Sequence, residues 1–179
     1  LLIAAPGVIP GEPLVLVPKV EYPQVDLHVG SARAKVYLPV QGGGYYQNQR
    51  FDGLGIVAEF SYSNHSVFGE LRPPNRRTRG DAIAGVAGEF DIQDPPGWHE
   101  AKPGEAFLKI GVGFLGKVSA HAPYHWINPY PILIRPKRSW QADSRECVLR
   151  ESLAGAPGWG YQREKRITLL GDRGILHIE

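Results

Sequence analysis

The stretch GIVAEFSYSNHSVFG, residues 55–69, decides the fold of this chain. Two apolar arms flank Ser63, Asn64 and His65, and short apolar runs joined by small polar residues are typical of a β-hairpin. The sequence therefore predicts two antiparallel strands here, with the turn at these three residues.

The same strand pattern continues on both sides of this hairpin. In ARAKVYLPV, residues 32–40, Ala, Val, Leu and Val alternate with Lys, Tyr and Pro, as in a half-buried strand. No segment keeps a 3.6-residue period over three turns, so we expect little helix. Eight or more short strands predict an all-β fold, either an antiparallel sandwich or a barrel. The other segments with a strand pattern are VDLHVG, EAFLKIGVGFL, YPILIRPKRSW, RECVLRESL, YQREKRITLL and GILHIE.

The composition fits this class and excludes several partners. The 179 residues include 22 Gly and 16 Pro, which favour short strands joined by turns. A formal net charge of +2 gives no reason to expect a nucleic-acid partner. No apolar run approaches the roughly 20 residues of a membrane span, so no membrane partner is expected.

Two regions differ in character along the chain. Residues 1–24 are rich in proline and predict an irregular lead-in, whereas residues 25–179 predict one β-sandwich domain that ends inside a strand. The opening LLIAAPGVIPG fits either the tail of a secretory signal or a disordered or edge-pairing segment. The single Cys147 does not decide the compartment, so cytoplasmic and secreted or periplasmic locations both stay open.

Several familiar site patterns are missing from the sequence. The glycines of QGGGYY and IGVG lack a following helix, so they predict turns and strand positions, not a phosphate cradle. His121 and His125 have metal-ligand spacing, but Pro123 interrupts it, and we predict a surface loop with no metal. Cys147 in its CVL run predicts a buried, unreactive thiol.

Two other groups of side chains suggest binding. A loop with Arg72, Arg76, Arg77 and Arg79 suits either a phosphate or acidic sugar, or simply a solvated surface. Aromatic side chains near strand ends suit packing against sugar rings, although for any single one packing in the core or at a sheet edge is the better explanation. They are Tyr45, Tyr46, Phe51, Trp98, Tyr124, Trp126, Trp140, Trp159 and Tyr161.

Three stretches together resemble the galactose-mutarotase-like (aldose 1-epimerase) superfamily. They are YYQNQRFDGLGIVAEFSYSNHSVFGE, DAIAGVAGEFDI and GWHEAKPGEAFLKIGVGFL, and the last is the most specific. The chain departs from the family pattern at Asn64, where a glycine precedes the histidine, at Gly88, where a glutamate is usual, and at Trp98, where a tyrosine is usual.

The resemblance implies a large antiparallel supersandwich that binds a sugar in an open cleft. Active members interconvert the anomers of aldoses with a histidine acid and a glutamate base, and they need no cofactor. The resemblance places both groups after GILHIE, so we expect residues 25–179 to be an incomplete, N-terminal part of such a domain, and His177 is not assigned to catalysis. No catalytic residue is therefore predicted within the chain.

The resemblance also implies candidate substrate-binding residues. Glu89 is the foremost of them, with a structural ion pair to Lys109 as its alternative role. The complete set is Arg50, Glu89, Lys102, Glu105 and Lys109.

These observations leave three hypotheses. The first is an isomerase of aldose anomers in the longer protein, and the second is a carbohydrate-binding or structural module without catalysis. The third is an accessory domain of polysaccharide processing with an extracellular address. A sugar is the expected ligand, and self-association through exposed strand edges is also predicted.

Overall fold

The computed structural model describes residues 21–69, 83, 85–89, 93–126, 128–155, 158–171 and 173–179. The proposed signal tail and the four-arginine loop lie outside these residues. The described part is all β, with no helix, as predicted. Its strands are β1 Gln24–Val29, β2 Ala32–Tyr37, β3 Ile56–Tyr62, β4 His65–Phe68, β5 Ala106–Lys109, β6 Gly113–Gly116, β7 Ile132–Ile134, β8 Lys137–Ala142, β9 Glu146–Ala154, β10 Gly160–Leu170 and β11 Ile175–Ile178.

The strands form three open antiparallel sheets. One has the order β1-β2-β3-β4, the second β11-β10-β9-β8 and the third β5-β6-β7. The first two sheets face each other across a shared hydrophobic core, which makes the fold a sandwich. Of the two folds that the strand pattern left open, a sandwich and a barrel, the chain forms the sandwich.

The predicted β3–β4 hairpin is confirmed. Ser63 and Asn64 both have positive φ, 47° and 63°, which is the geometry of the two-residue turn that best matches strand twist. The pairing partners Tyr62 and His65 directly flank this turn.

The hydrophobic core lies between the two four-stranded sheets. Alternate residues of β2 and β10, among them Ala34, Val36, Ile167 and Leu169, enter it from opposite sides. Cys147 of β9 is fully buried there, and burial, followed by the nearby charge of Glu146, raises the pKa of its thiol to about 11. The prediction of a buried thiol is therefore confirmed, and a thiol with this pKa is almost wholly protonated at neutral pH.

Two predicted strands are wrong in extent. The segment EAFLKIGVGFL is a hairpin, because Gly111 has a φ of +83° that a continuous strand excludes, so β5 ends and β6 begins around it. The segment YPILIRPKRSW divides into β7 and β8, which belong to different sheets. The break falls at Arg135–Pro136, where proline has no amide hydrogen to continue a ladder.

The first strand begins at Gln24, one residue before the predicted boundary. β1 and β4 are the outer strands of the first sheet, and β11 and β8 those of the second, within the described residues. Self-association through such edges stays a prediction, which size-exclusion chromatography over a concentration series can measure.

Candidate functional site

Arg50 and Glu89 form one side of the candidate site. Arg50 Nε lies 2.9 Å from Glu89 Oε1, and Glu89 pairs as an isolated β-bridge with Phe51. The Arg50 guanidinium also lies over the ring of Trp126, at 4.1 Å from its centre, which is a favourable cation–π distance. The structure therefore pairs Glu89 with Arg50, in place of the ion pair with Lys109 considered from the sequence.

A buried tyrosine fixes the backbone under this pair. The hydroxyl of Tyr46 accepts hydrogen bonds from the backbone amides of Arg50, at 2.9 Å, and Phe51, at 2.8 Å. Tyr46 is only 8% exposed, so these bonds hold the backbone of Arg50 against the protein interior. The Tyr46 hydroxyl thereby fixes the backbone from which the Arg50 guanidinium reaches over Trp126.

A cavity of about 450 Å³ opens beside this pair. We call it the aromatic pocket, and its size lies within the range of pockets for small ligands. Trp98 is 4% exposed, whereas Tyr124 and Trp126 are partly exposed. The residues that line it are Gln93, Asp94, Trp98, His99, Pro123, Tyr124, His125 and Trp126.

Edge-to-face aromatic contacts build the inner wall of the aromatic pocket. The Trp98 ring meets Phe107 of β5 at 4.9 Å and Tyr130 at 5.6 Å, in both cases nearly perpendicular. Tyr124 stacks on Tyr130 at 5.5 Å with an interplanar angle of 13°. Such pairs add roughly 0.5–1.5 kcal/mol each beyond their burial, so they stabilise the arrangement of these rings.

Polar groups stand at the mouth of the aromatic pocket. His99 Nε2 lies 3.0 Å from Asp94 Oδ1, and both side chains are well exposed. His125 is also exposed, and its backbone amide donates to the hydroxyl of Tyr130 at 3.1 Å. His121 and His125 thus lie in a loop, and among the described residues no group of three or more His, Cys, Asp or Glu side chains is arranged to hold a metal ion.

The structure brings three of the five predicted site residues towards this pocket. None of the five is among the residues that line it, but the Arg50 guanidinium lies over Trp126, Glu89 pairs with Arg50, and Lys109 Nζ lies 5.9 Å from the centre of the Tyr124 ring. The other two are Lys102 and Glu105. They belong to an exposed turn before β5, in which the Lys102 amide donates to Glu105 Oε2 at 2.8 Å.

The most heavily charged part of the interior was not predicted from the sequence. At one end of the sandwich, beside the hydrophobic core, charged side chains face each other between the sheets. We call this group the ionic node, and it consists of Asp52, Arg138, Glu151, Tyr161, Arg163 and Lys165.

Asp52 is the acceptor at one side of the ionic node. Arg163 donates to both of its carboxylate oxygens, at 2.5 and 2.9 Å, and Lys165 Nζ donates to Oδ2 at 2.6 Å. The backbone amide of Leu54 donates to Oδ1 at 2.7 Å. A carboxylate that is 4% exposed is therefore supplied with four donors.

Glu151 is the acceptor at the other side. Its Oε1 accepts from Arg163 at 2.6 Å and from the hydroxyl of Tyr161 at 3.0 Å. Its Oε2 accepts from Arg138 Nε at 3.0 Å. Arg163 thus bridges the two buried carboxylates.

Burial and the charges of the ionic node shift the pKa values of its members: the shifts of Asp52 and Tyr161 favour the network, whereas burial lowers the pKa of Lys165. Burial opposes ionisation of Asp52, but the charges and hydrogen bonds of Lys165 and Arg163 outweigh it and lower the pKa of the carboxyl. Burial, together with the charge of Glu151, raises the pKa of Tyr161, so its phenol keeps the proton that it donates. At neutral pH we therefore expect an ionised Asp52 carboxylate and a protonated Tyr161 phenol.

The ionic node also holds the backbone that carries the candidate site residues. The Asp52 amide donates to Gly88 O at 2.7 Å, next to Glu89. The Gly53 amide donates to Gly111 O at 3.2 Å, and the same oxygen accepts from Arg138 Nη2 at 3.0 Å. Position 111 requires glycine, because a Cβ there would lie 3.2 Å from Asp52 Oδ1 at a positive φ.

One sequence signal points to the ionic node. The inward-facing positions of β10 that carry Ile167 and Leu169 in the core continue, two residues at a time, through Lys165, Arg163 and Tyr161. Charges on the buried face of a strand require partners, so this alternation predicts a buried network. It does not identify Asp52, which is 111 residues away from Arg163 in the chain.

No helical segment within the described ranges has the length and hydrophobicity of a membrane span. Comparisons with protein-family models, with curated proteins and with solved structures found no significant match to this chain.

Proposed function

We propose that the protein binds carbohydrate in the aromatic pocket. The observation that carries the proposal is the joint presence of Trp98, Tyr124 and Trp126 around one cavity with hydrogen-bonding groups at its mouth. Aromatic faces pack against the apolar C–H faces of sugar rings, and carboxylates and amides bind the hydroxyls. The resemblance to galactose-mutarotase-like proteins supports the same ligand class.

Arg50 and Glu89 have defined roles in this proposal. Arg50 covers one face of the Trp126 indole and fixes its orientation, and Glu89 holds the guanidinium there. Preorganised aromatic side chains lose little freedom on binding, which favours ligands that make few strong contacts. Glu89 Oε1 accepts from Arg50, and because Glu89 does not line the aromatic pocket, its role in this proposal is to hold the guanidinium and not to contact the sugar.

Titration of the 179-residue chain with glucose and galactose, followed by NMR or tryptophan fluorescence, tests this proposal. We expect binding in the millimolar range, and a loss of at least about tenfold in affinity for Trp126→Ala. Trp140→Ala is the matched control, because Trp140 lies on β8, is 39% exposed and does not line the pocket. Equal effects of the two substitutions, or no binding of any sugar, would refute the proposal.

Interconversion of aldose anomers is the second candidate function. It is supported by the resemblance and by the His99–Asp94 pair at the pocket, because an imidazole beside a carboxylate can exchange protons with a hydroxyl. Polarimetry of freshly dissolved α-glucose tests it. We expect this chain to bind sugar without accelerating mutarotation, since the resemblance places the family's acid and base outside these residues. If the chain did accelerate mutarotation and His99→Ala abolished the effect, the chemistry would instead belong to His99 and Asp94.

A further inference from the structure

β8 is an outer strand of the second sheet with an uncovered edge. It has six residues, Lys137–Ala142, and all of them except Arg138 are exposed. On one side it pairs with β9, and on the other side none of its backbone groups has a hydrogen-bond partner within the described ranges. An edge of this kind presents a row of unpaired N–H and C=O groups to another chain.

The other outer strands are shorter or already occupied. β1 also has six residues, but the amide of His28 donates to the oxygen of Ser144 in the β8–β9 turn, at 2.6 Å. β4, β5, β7 and β11 have only three or four residues each, and the pairing of β4 and of β7 with its neighbour is also shifted in register. Short and bulged edges limit pairing with a further strand. Of the edges in the described part of the chain, β8 therefore offers the longest open ladder.

Trp140 gives the centre of β8 an apolar side chain that one chain alone leaves partly in water. Its pairing partner Leu149 belongs to the hydrophobic core, and paired residues point to the same face of a sheet, so Trp140 points to the interlayer side. The residue is nevertheless 39% exposed. Removal of this apolar surface from water favours a partner beside β8 on that face.

Opposite charges lie at the two ends of β8. Lys137, at its start, has no carboxylate partner among the described residues. Asp143 directly follows its last residue, and Asp143 Oδ1 accepts from the amides of Arg145, at 2.7 Å, and Glu146, at 2.8 Å. These hydrogen bonds lower the pKa of the carboxyl, so Asp143 is ionised at neutral pH. An antiparallel copy of the strand would bring the positive end of one chain to the negative end of the other.

We propose that two copies of this chain associate through β8, paired antiparallel about a two-fold axis at Trp140. In this register Trp140 lies opposite the same residue of the second copy, Ser139 lies opposite Gln141, and Lys137 lies opposite Asp143. The two indoles cover each other on the interlayer face, and each end of the paired strands gains an ion pair. The two four-stranded sheets thereby become one sheet of eight strands.

Neighbouring registers fit the side chains less well. The register can change only in steps of two residues, because an odd step would set inward-facing side chains against outward-facing ones. With Ser139 at the axis, Pro136 enters the ladder, where it has no amide hydrogen to donate. With Gln141 at the axis, Lys137 lies opposite Arg145, and like charges directly opposite each other are unfavourable.

Sedimentation equilibrium of the 179-residue chain over a concentration series tests the inference. A single pair of strands buries less than the roughly 1,000 Å² of a stable interface, so we expect a weak dimer with a Kd of roughly 10–100 μM. Trp140→Glu sets two carboxylates opposite each other and should raise the Kd at least about tenfold. The matched control is Ile175→Glu on β11, the other outer strand of this sheet, because Ile175 is 41% exposed; it should change the Kd by no more than about twofold.

Disulfide cross-linking measures the register independently of Trp140. Residues directly opposite in antiparallel strands have Cα atoms about 4.5–5.5 Å apart, which is within the range of a disulfide. Mild oxidation of Ser139→Cys mixed with Gln141→Cys should therefore give a covalent dimer, whereas each variant alone should give far less. The native Cys147 is buried and does not compete.

Three results would overturn the β8 dimer. They are a mass that stays that of one chain at every concentration, an association that Ile175→Glu weakens as much as Trp140→Glu does, and cross-linking of the mixture no greater than that of the separate variants. Each of these results would leave the proposed sugar binding standing, because no residue of β8 lines the aromatic pocket.

Discussion

The hydrophobic core and the ionic node occupy neighbouring parts of the same interlayer space. In β9, Cys147 and Leu149 face the core, and Glu151, two residues further along the same face, belongs to the node. The core is stabilised by removal of apolar area from water, a contribution that each side chain makes separately. The node is stabilised only while every charge keeps its partners, because an isolated buried charge is strongly unfavourable. The core and the node are buried to a similar extent, but their contributions to stability should respond differently to mutation and to pH.

Removal of the central acceptor should give the largest effect. Asp52→Ala leaves Arg163 and Lys165 without the carboxylate that they share, and we expect the free energy of unfolding to fall by about 3–5 kcal/mol. Urea denaturation at pH 7 measures this change. A loss below about 1 kcal/mol would show that water replaces the carboxylate and that the node is not a buried network.

A cavity in the core should give the next largest effect. Leu149 is fully buried, and Leu149→Ala should lower the free energy of unfolding by about 2–5 kcal/mol through lost apolar contact and an unfilled cavity. The same denaturation experiment applies, with Leu133→Ala as control because Leu133 is 49% exposed. A cost for Leu149→Ala no greater than that of the control would contradict the proposed position of the core.

Low pH should weaken the stabilising contribution of the ionic node but not that of the hydrophobic core. The folded pKa of Asp52 lies below its ordinary value of 3.8, so its contribution is fully present above that value and is lost as the pH falls through the folded pKa. The stability difference between wild type and Asp52→Ala should therefore shrink below about pH 4, whereas the difference for Leu149→Ala should persist. Denaturation curves at neutral pH and at about pH 3 provide the measurement, and parallel loss in both variants would argue against a specific titration of Asp52.

The smallest effect is expected on the solvent face of the same sheet. Glu164 forms ion pairs with Arg150 and with Arg166, both at 2.8 Å, but all three side chains remain a third to a half exposed. Glu164→Gln should cost no more than about 1 kcal/mol, and less in high salt, because water and ions screen exposed charges. If Glu164→Gln lowered the free energy of unfolding as much as Asp52→Ala does, exposed and buried ion pairs would not differ as expected here.

The fold class followed from local pattern, whereas the sheet boundaries did not. Period-two alternation and the Ser63–Asn64 turn are local properties, and both appear in the structure as expected. The division of two apparent strands depends on Gly111 and Pro136, which end the pairing inside segments whose residue pattern otherwise continues as one strand. The substrate-binding role of Arg50, Glu89, Lys102, Glu105 and Lys109 stays a prediction. The structure decides only their positions: Arg50 pairs with Glu89, Lys109 lies near Tyr124, and Lys102 and Glu105 belong to a turn.

By itself, the sequence determined that this chain forms short antiparallel strands, because side-chain alternation and turn preferences act between neighbours in the chain. It also supplied the aromatic residues from which a sugar pocket is proposed. Only the tertiary structure decided which of them meet, and it placed Asp52 beside Arg163 and Gln49 beside Asn128. These pairings join segments that are distant in sequence, and their existence depends on how the sheets pack and not on any local preference.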